Sequence, residues 1–389
     1  IFNLFYRYAI IIVVNNIMLG VRLLKRLLIL EDGSTFLGEG FGSQINSTGE
    51  VVLTTAMTGY QKVVTSPTYA NQIIVFTTPV LGTYGTNIDD LESLQPVCKG
   101  VVCHTYTDSM NVSSPQSFSD YLKNQDIPGI YGIDTRKLVR ILSKHNGIMK
   151  GSIIDAENDL EHAFDQLHAT VLTDQLVDMV STSKPYPNPD TGRNIVLVDY
   201  GVKHSVLRQL SRMNCNTIIV PYTATFQEIK NLCPDGVLLS NGPGNPYTLE
   251  DSFETIRQIQ ANYPTFAIGL GHQLLAIANG AKVKELPRAN RGLNFPVIEI
   301  ATGRIITVAQ NHSYIVDESS LPKDNLIVTH KDLNSGWIEG IKHRKYPTFS
   351  VQFEPEGAPG PSDGTDVFYD FMHLIDIRKD KINAIRESK

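Results

Sequence analysis

The chain has 389 residues, of which 42% are hydrophobic and 19% charged, with a formal net charge of −6 and a pI of about 5.9. That length exceeds one typical core and calls for two domains, and the composition excludes a disordered polymer. The mild acidity argues against a nucleic-acid partner, and four cysteines without C-x-x-C spacing argue against a disulfide framework or a metal centre.

Residues 1–23 read as an atypical N-terminal extension. The chain opens on Ile1, and only 14 residues separate Arg7 from Arg22, too few for a membrane span. No small-residue cleavage site follows the apolar run, so a signal peptide is not expected either. The expectation is upstream sequence with a natural start near Met18. The scattered cysteines fit a reducing cytosol, so a cytoplasmic protein with no membrane partner is expected.

From Leu24 the pattern becomes regular. Leu27–Leu30, the turn Glu31-Asp-Gly33 and Thr35–Gly38 predict a β-hairpin. Further strands are expected at Val51–Leu53, Ile73–Thr77 and Gly100–Cys103, with helices over Ser117–Asn124 and Asp134–Lys144. A mostly polar helical pattern over Ala156–Met179 completes a β-rich domain spanning residues 24–180. The prolines of Lys184-Pro-Tyr-Pro-Asn-Pro189 forbid helix and central strand, so residues 181–193 are expected to be a linker.

The second domain, residues 194–378, opens with an apolar strand at Asn194–Tyr200. Helix Lys203–Arg212, strand Asn216–Val220, helix Thr225–Asn231 and strand Gly236–Ser240 follow. This βαβαβ alternation predicts an open, mostly parallel sheet, which binds ligands beyond the carboxyl ends of its strands. Three loops are expected there: Ser240–Asn245, the turn at Gly269 and Gln310–Tyr314. Thr265–Leu275 reads as strand, tight turn and helix start, the elbow on which α/β enzymes expose a nucleophile. The elbow residue here is Gly269, which has no side chain to react. Residues 379–389 are expected to be a charged tail, the solvated end of a helix.

Ordered motifs in both halves resemble one family. Arg26–Gly33, Gly38-Glu-Gly-Phe-Gly42, Met57-Thr-Gly-Tyr-Gln61, Pro79-Val-Leu-Gly82 and Gly129–Arg136 resemble the N-terminal domain of the small subunit of carbamoyl-phosphate synthase. Asn241–Pro246, Gly269–Leu275, Asn311-His312 and Val351–Glu356 resemble its class I glutamine amidotransferase domain. The resemblance implies an α/β protein with a β-rich small-subunit domain and an amidotransferase domain. It implies a heterodimer with a large synthetase subunit, which receives ammonia from glutamine for arginine or pyrimidine synthesis. ATP, magnesium and bicarbonate would belong to that partner, and no cofactor or metal to this chain.

The family's chemistry uses a cysteine thiolate at the elbow, a histidine base and a glutamate that orients the histidine. Carried onto this chain, the nucleophile position is Gly269, the base position Glu354 and the orienting carboxylate Glu356. The glutamine-holding positions fall on Ser47, Gly242, Gly244, Leu270, Gln273, Asn311, Ser313 and Tyr314. Ser313-Tyr314 stands where the family has Gly-Phe, and Arg291–Pro296 departs from its Gly-Gly-Asn-His-Pro. His272 and His312 occupy ordinary structural positions, and all four cysteines are expected to be small buried apolar residues.

The reacting pair is thus absent while the motifs of the scaffold persist. The leading expectation is a structural or regulatory subunit without its own glutaminase activity, serving an ammonia-dependent complex. An active glutamine-hydrolysing subunit would need an unrecognised nucleophile. A glutamine-sensing module is the third reading, because an emptied pocket with Glu354 would favour an amino group.

Overall fold

The structure, a computed structural model, describes residues 24–108 and 116–387. The expected N-terminal extension therefore lies outside the described residues, apart from its boundary.

The first unit runs β1 (Lys25–Leu30), β2 (Thr35–Gly42), β3 (Ser47–Thr54), α1 (Tyr60–Thr65), β4 (Gln72–Phe76), β5 (Val80–Leu81), β6 (Gly100–Val102) and β7 (Thr105–Tyr106). It continues with α2 (Phe118–Asn124), β8 (Pro128–Tyr131), α3 (Thr135–Lys144), β9 (Ile148–Asp155) and α4 (Leu160–Ala169). Seven strands close a barrel in the order β1-β2-β8-β6-β4-β3-β9, and β5 pairs with β7 in a separate ribbon. Its strands are apolar on both faces: Ile73 and Val75 enter one core cluster, Ile74 and Phe76 another. The two helices predicted from pattern are capped as their sequences require. Ser117 accepts from the Asp120 amide at 3.1 Å and Asp134 from the Lys137 amide at 2.9 Å. The pattern over Ala156–Met179 yields a shorter helix, because the largely β-branched run Thr170–Thr173 ends α4 at Ala169.

The second unit runs β10 (Tyr186–Asn188), β11 (Asn194–Asp199), α5 (His204–Arg212), β12 (Asn216–Pro221), α6 (Phe226–Asn231), β13 (Gly236–Leu239), α7 (Ser252–Asn262), β14 (Thr265–Ile268) and α8 (Leu270–Ala278). It ends with β15 (Val283–Glu299), β16 (Ile305–Val316), β17 (Leu326–Asp332), β18 (Ile338–His343), β19 (Thr348–Val351) and α9 (Asp366–Glu387). One ten-stranded sheet has the order β10-β12-β11-β13-β14-β19-β18-β17-β15-β16. Its centre, β12 through β19, is parallel as expected, and β18, β17, β15 and β16 extend it antiparallel. Ile195 and Leu197 pack on one face of the sheet and Val196 and Val198 on the other, which is why this strand reads as a continuous apolar run.

Two expectations are corrected and a third is met. The proline-rich linker contains β10, which pairs antiparallel with β12 at the sheet edge, where proline's missing N–H costs no internal ladder bond. Gln310–Tyr314 is not a loop but part of β16, hydrogen-bonded along β15. The charged tail is the end of a helix as expected, since α9 runs without interruption through residue 378 to Glu387.

The two units meet beside the carboxyl ends of the parallel strands. Glu92 of the first unit is fully buried and accepts from the Ser205 amide at 2.9 Å and from Arg208 Nη2 at 2.7 Å. It thereby caps the N-terminus of α5 with a carboxylate, where the helix dipole favours one. Thr55 Oγ1 donates to the Arg291 carbonyl at 3.0 Å, and Asn311 Nδ2 donates to Thr68 Oγ1 at 2.8 Å.

Candidate functional site

The site begins with three strand ends. Strand β14 delivers Gly269, which takes φ 56° and ψ −110° before α8 begins at Leu270. A Cβ there would meet Asn241 Cβ at 3.3 Å, which Asn241 would have to relieve by a few tenths of an ångström, and the positive φ is one that L-residues adopt only under strain. Beside it, β19 carries the chain into Gln352-Phe-Glu354-Pro-Glu356, with Ile268 and Val351 in register. Strand β13 delivers Ser240-Asn241-Gly242. Gly242 is required, because a Cβ would lie 2.2 Å from the Tyr200 carbonyl oxygen.

Strand β11 supplies the fourth member. Asp199 accepts from the amides of Gly201 at 2.9 Å and Val202 at 2.8 Å, and from the Thr182 amide at 2.7 Å. Burial nevertheless pushes its carboxyl up, with those three amides opposing. The turn it holds directs Lys203 inward. Lys203 Nζ lies 2.9 Å from Glu354 Oε2 and 2.7 Å from Glu356 Oε1, and its side chain is 1% exposed. The contact to Glu356 is an ion pair at an angle outside that of a hydrogen bond.

Three charges thus share one place, with Lys203 and Glu356 buried and Glu354 at the edge of the cavity, and their sum is negative when both carboxylates are ionised. Burial alone would push the Lys203 ammonium down, but Glu354, Glu356 and Glu92 outweigh it and hold it up. Glu354 is raised toward about 7, first by burial and then by the charge of Glu356, with Lys203 opposing.

Gly242, Gly244, Gly269, Leu270, Gln273, Asn311, Ser313, Tyr314 and Glu354 line one cavity of about 240 Å³. Glu356 lies behind it, on Lys203. Ser47, on β3, is not among the lining residues. Gln273 Nε2 donates to the Tyr314 carbonyl and to Gln352 Oε1, both at 3.0 Å, which fixes α8 against β16 and β19. The first amides of α8 have no intrahelical partner by construction, so Leu270 N–H is available at the elbow.

Histidine is present nearby, but engaged. His272 is fully buried, with Nδ1 on Ser350 Oγ at 2.9 Å. Burial, then the charges of His312 and His330, pushes it down to about 3. His312 lines the cavity with Nδ1 3.1 Å from the Tyr314 carbonyl oxygen and Nε2 3.3 Å from Gln310 Oε1. Burial lowers it to about 4. Both fit the structural role expected of them. Cysteine is absent from the lining. Cys98, Cys103 and Cys215 are buried as expected, whereas Cys233 is exposed after α6, a correction. Its φ of 51° turns the chain at the helix end, where there is no core to enter.

Sequence reasoning missed Lys203, Glu92 and Asn241. Lys203 looked like the first residue of an amphipathic helix, and only the contact between distant strand ends makes it a partner of Glu354. Asp199 followed by Gly201, a polar turn directly after an apolar strand, was the available signal. Arg291 was noted only as a departure from a motif.

A mostly parallel sheet with a strand–glycine–helix elbow and a Gly-Pro-Gly loop at its carboxyl edge fits the class I glutamine amidotransferase architecture, and the "Glutamine amidotransferase class-I" profile matches residues 196–374. The "Carbamoyl-phosphate synthase small chain, CPSase domain" profile matches residues 28–153, the barrel unit. A carbamoyl phosphate synthase small chain of Streptococcus mutans is 50% identical over 90% of this chain and 97% of its own length. One from Lactococcus lactis subsp. lactis is 48% identical over 90% of this chain and 98% of its own. The chain belongs to the carbamoyl-phosphate synthase small-chain family. A glutamine amidotransferase structure from Thermotoga maritima is similar over 43% of this chain and 77% of its own, at 17% identity and a TM-score of 0.35, too low to support anything further.

Proposed function

We propose that this chain is a carbamoyl-phosphate synthase small subunit that docks on a large subunit and does not itself hydrolyse glutamine. The complex then makes carbamoyl phosphate from free ammonia, bicarbonate and ATP, with ATP and magnesium held by the large subunit. The observation that carries this reading is the pair of residues at the reacting positions. Gly269 offers no nucleophilic atom at the elbow, and Glu354, bound to Lys203 at 2.9 Å, offers no imidazole. Loss of a nucleophile that works as a unit with its base typically costs about 10⁴- to 10⁶-fold in kcat.

The remaining hydroxyls do not replace it. Among the hydroxyls that line the cavity, Thr68 accepts from Asn311, Ser313 accepts from Arg291 Nη2 at 3.0 Å and Thr173 accepts from the Gln175 amide, and both ring nitrogens of the neighbouring His312 are engaged. Membership of the family, over nearly the whole length of its relatives, supports retained docking.

The test is reconstitution with the cognate large subunit, comparing carbamoyl phosphate formed from glutamine and from ammonium chloride. Synthesis from ammonium alone is the expected result. Comparable synthesis from glutamine would overturn the reading. A Gly269→Cys/Glu354→His double variant should then gain measurable ammonia release from glutamine.

A further inference from the structure

Another cavity, of about 330 Å³, lies at the edge of the large sheet opposite the elbow, beside the starts of β14 and β19. Its floor is made by the ends of α7 and α8, locked together by a reciprocal amide pair. Gln260 Nε2 donates to Asn279 Oδ1 and Asn279 Nδ2 to Gln260 Oε1, both at 2.9 Å. One wall is the turn between β18 and β19. Arg344 ties that turn to the segment before β17, its amide donating to the Asn325 carbonyl at 2.8 Å and its Nε to the Lys323 carbonyl at 2.7 Å. The frame is thus bonded to itself, and the space it encloses is left to the side chains that face inward.

Those side chains present donors. His343 Nδ1 accepts from the amides of Lys345 at 2.9 Å and Tyr346 at 3.0 Å. An amide N–H only donates, so Nδ1 carries no proton and the ring's proton sits on Nε2, on the edge turned away from the backbone. His343 lines the cavity, and among the described residues its Nε2 has no partner. Arg257 is fixed by Glu254, 2.8 Å from its Nε, and by the Ala278 carbonyl, 3.2 Å from its Nη1. The second bond covers the negative end of α8 and leaves Nη2 uncommitted. Of the described residues lining the cavity, Arg257 and Lys345 are cationic and none is acidic. Lys323, Lys342 and Arg344 stand exposed in the same two segments. On a chain of net charge −6 this is a local reversal of sign, which Glu254 offsets only in part.

We propose that this cavity binds a small phosphate monoester, with Arg257, the Nε2–H of His343 and Lys345 as donors to the phosphate oxygens. Three donors on three separate side chains suit a group with three terminal oxygens, whereas a carboxylate offers two. Lys345 Nζ lies 5.5 Å from the Tyr346 ring centroid, a weak contact from which a flexible ammonium is readily drawn to a dianion. The cavity is several times larger than a bare phosphate, so its remaining space, over Ala278 and Asn325, takes the organic part of the ester. This site shares no residue with the cavity at Gly269 and stands whether or not glutamine is hydrolysed there.

Titration calorimetry on the full chain tests this with ribose 5-phosphate, inorganic phosphate and ribose. Ribose 5-phosphate should bind with a Kd below about 1 mM, inorganic phosphate more weakly and ribose not at all. Arg257→Gln and Lys345→Gln should each weaken the binding of ribose 5-phosphate about tenfold, the lower end for a charge-assisted hydrogen bond because the site is open to water. His343→Asn should weaken it similarly, since an asparagine oxygen can still accept the two amides of the turn while the Nε2–H is lost. Glu254→Gln releases Arg257 and should tighten it. Lys137→Gln, on α3 of the first unit, should change nothing. No heat from ribose 5-phosphate at 10 mM, or equal weakening by Lys137→Gln and Lys345→Gln, would overturn the site. Equal binding of inorganic phosphate and ribose 5-phosphate would overturn the ester as its ligand.

Discussion

Replacing Glu354 by glutamine should stabilise the protein, and only at the alkaline side of its range. Lys203 neutralises one of the two carboxylates it touches, at 2.9 and 2.7 Å, so the buried cluster carries one surplus negative charge when both are ionised. The carboxyl of Glu354 is accordingly raised from 4.5 to about 7, with burial as the main cause. A carboxyl raised on folding binds its proton more tightly in the folded state. The stability it contributes is full below pH 4.5 and is lost as pH rises through about 7. At 1.36 kcal/mol per unit, the loss is on the order of 3 kcal/mol. Glu354→Gln removes the titration and keeps the Lys203–Glu356 pair. Its unfolding free energy should match that of the parent near pH 5 and exceed it by about 2–3 kcal/mol at pH 8. Urea denaturation at a series of pH values, followed by calorimetry, measures the difference. A difference that does not change with pH, or a variant less stable at pH 8, would refute the charge count at Lys203. The converse variant, Lys203→Met, leaves two buried carboxylates unpaired and should lose about 3–5 kcal/mol at pH 8, recovering as the pH is lowered.

Gly242→Ala places a Cβ 2.2 Å from the Tyr200 carbonyl oxygen, and should destabilise by about 1–3 kcal/mol in chemical denaturation. Glu92→Gln weakens its contacts to Ser205 and Arg208 between the two units. It should cost about 1.5–3 kcal/mol, seen as a lower Tm. Thiol titration of the native protein should report Cys233 alone, and the remaining cysteines only after denaturation. Burial shields Cys98 and Cys215 and pushes them up to about 12 and about 11, and raises Cys103 as well. Rapid native modification of more than one thiol would contradict the packing of Cys98 and Cys103 in the first unit or of Cys215 in the second.

Local pattern alone revealed much of this protein. The hairpin of β1 and β2, the capped helices α2 and α3, and the parallel strands from β11 to β14 follow from turn residues, caps and apolar runs, which act over a few residues. The elbow at Gly269 was equally legible, because its strand–glycine–helix order lies in consecutive residues. Tertiary structure decided what depends on distant segments. It made Gln310–Tyr314 a strand by pairing it with β15, and gave the linker an edge strand that its prolines permit only at an edge. It also brought Lys203 from the end of β11 to Glu354 and Glu356 after β19, a contact spanning more than 150 residues of chain. The same is true of Arg291, which the fold buries with a hydrogen bond to Ser313 and, among the described residues, no ion pair. Periodicity records which face of an element is apolar; which charges meet, and which are left unpaired, depends on how the elements pack.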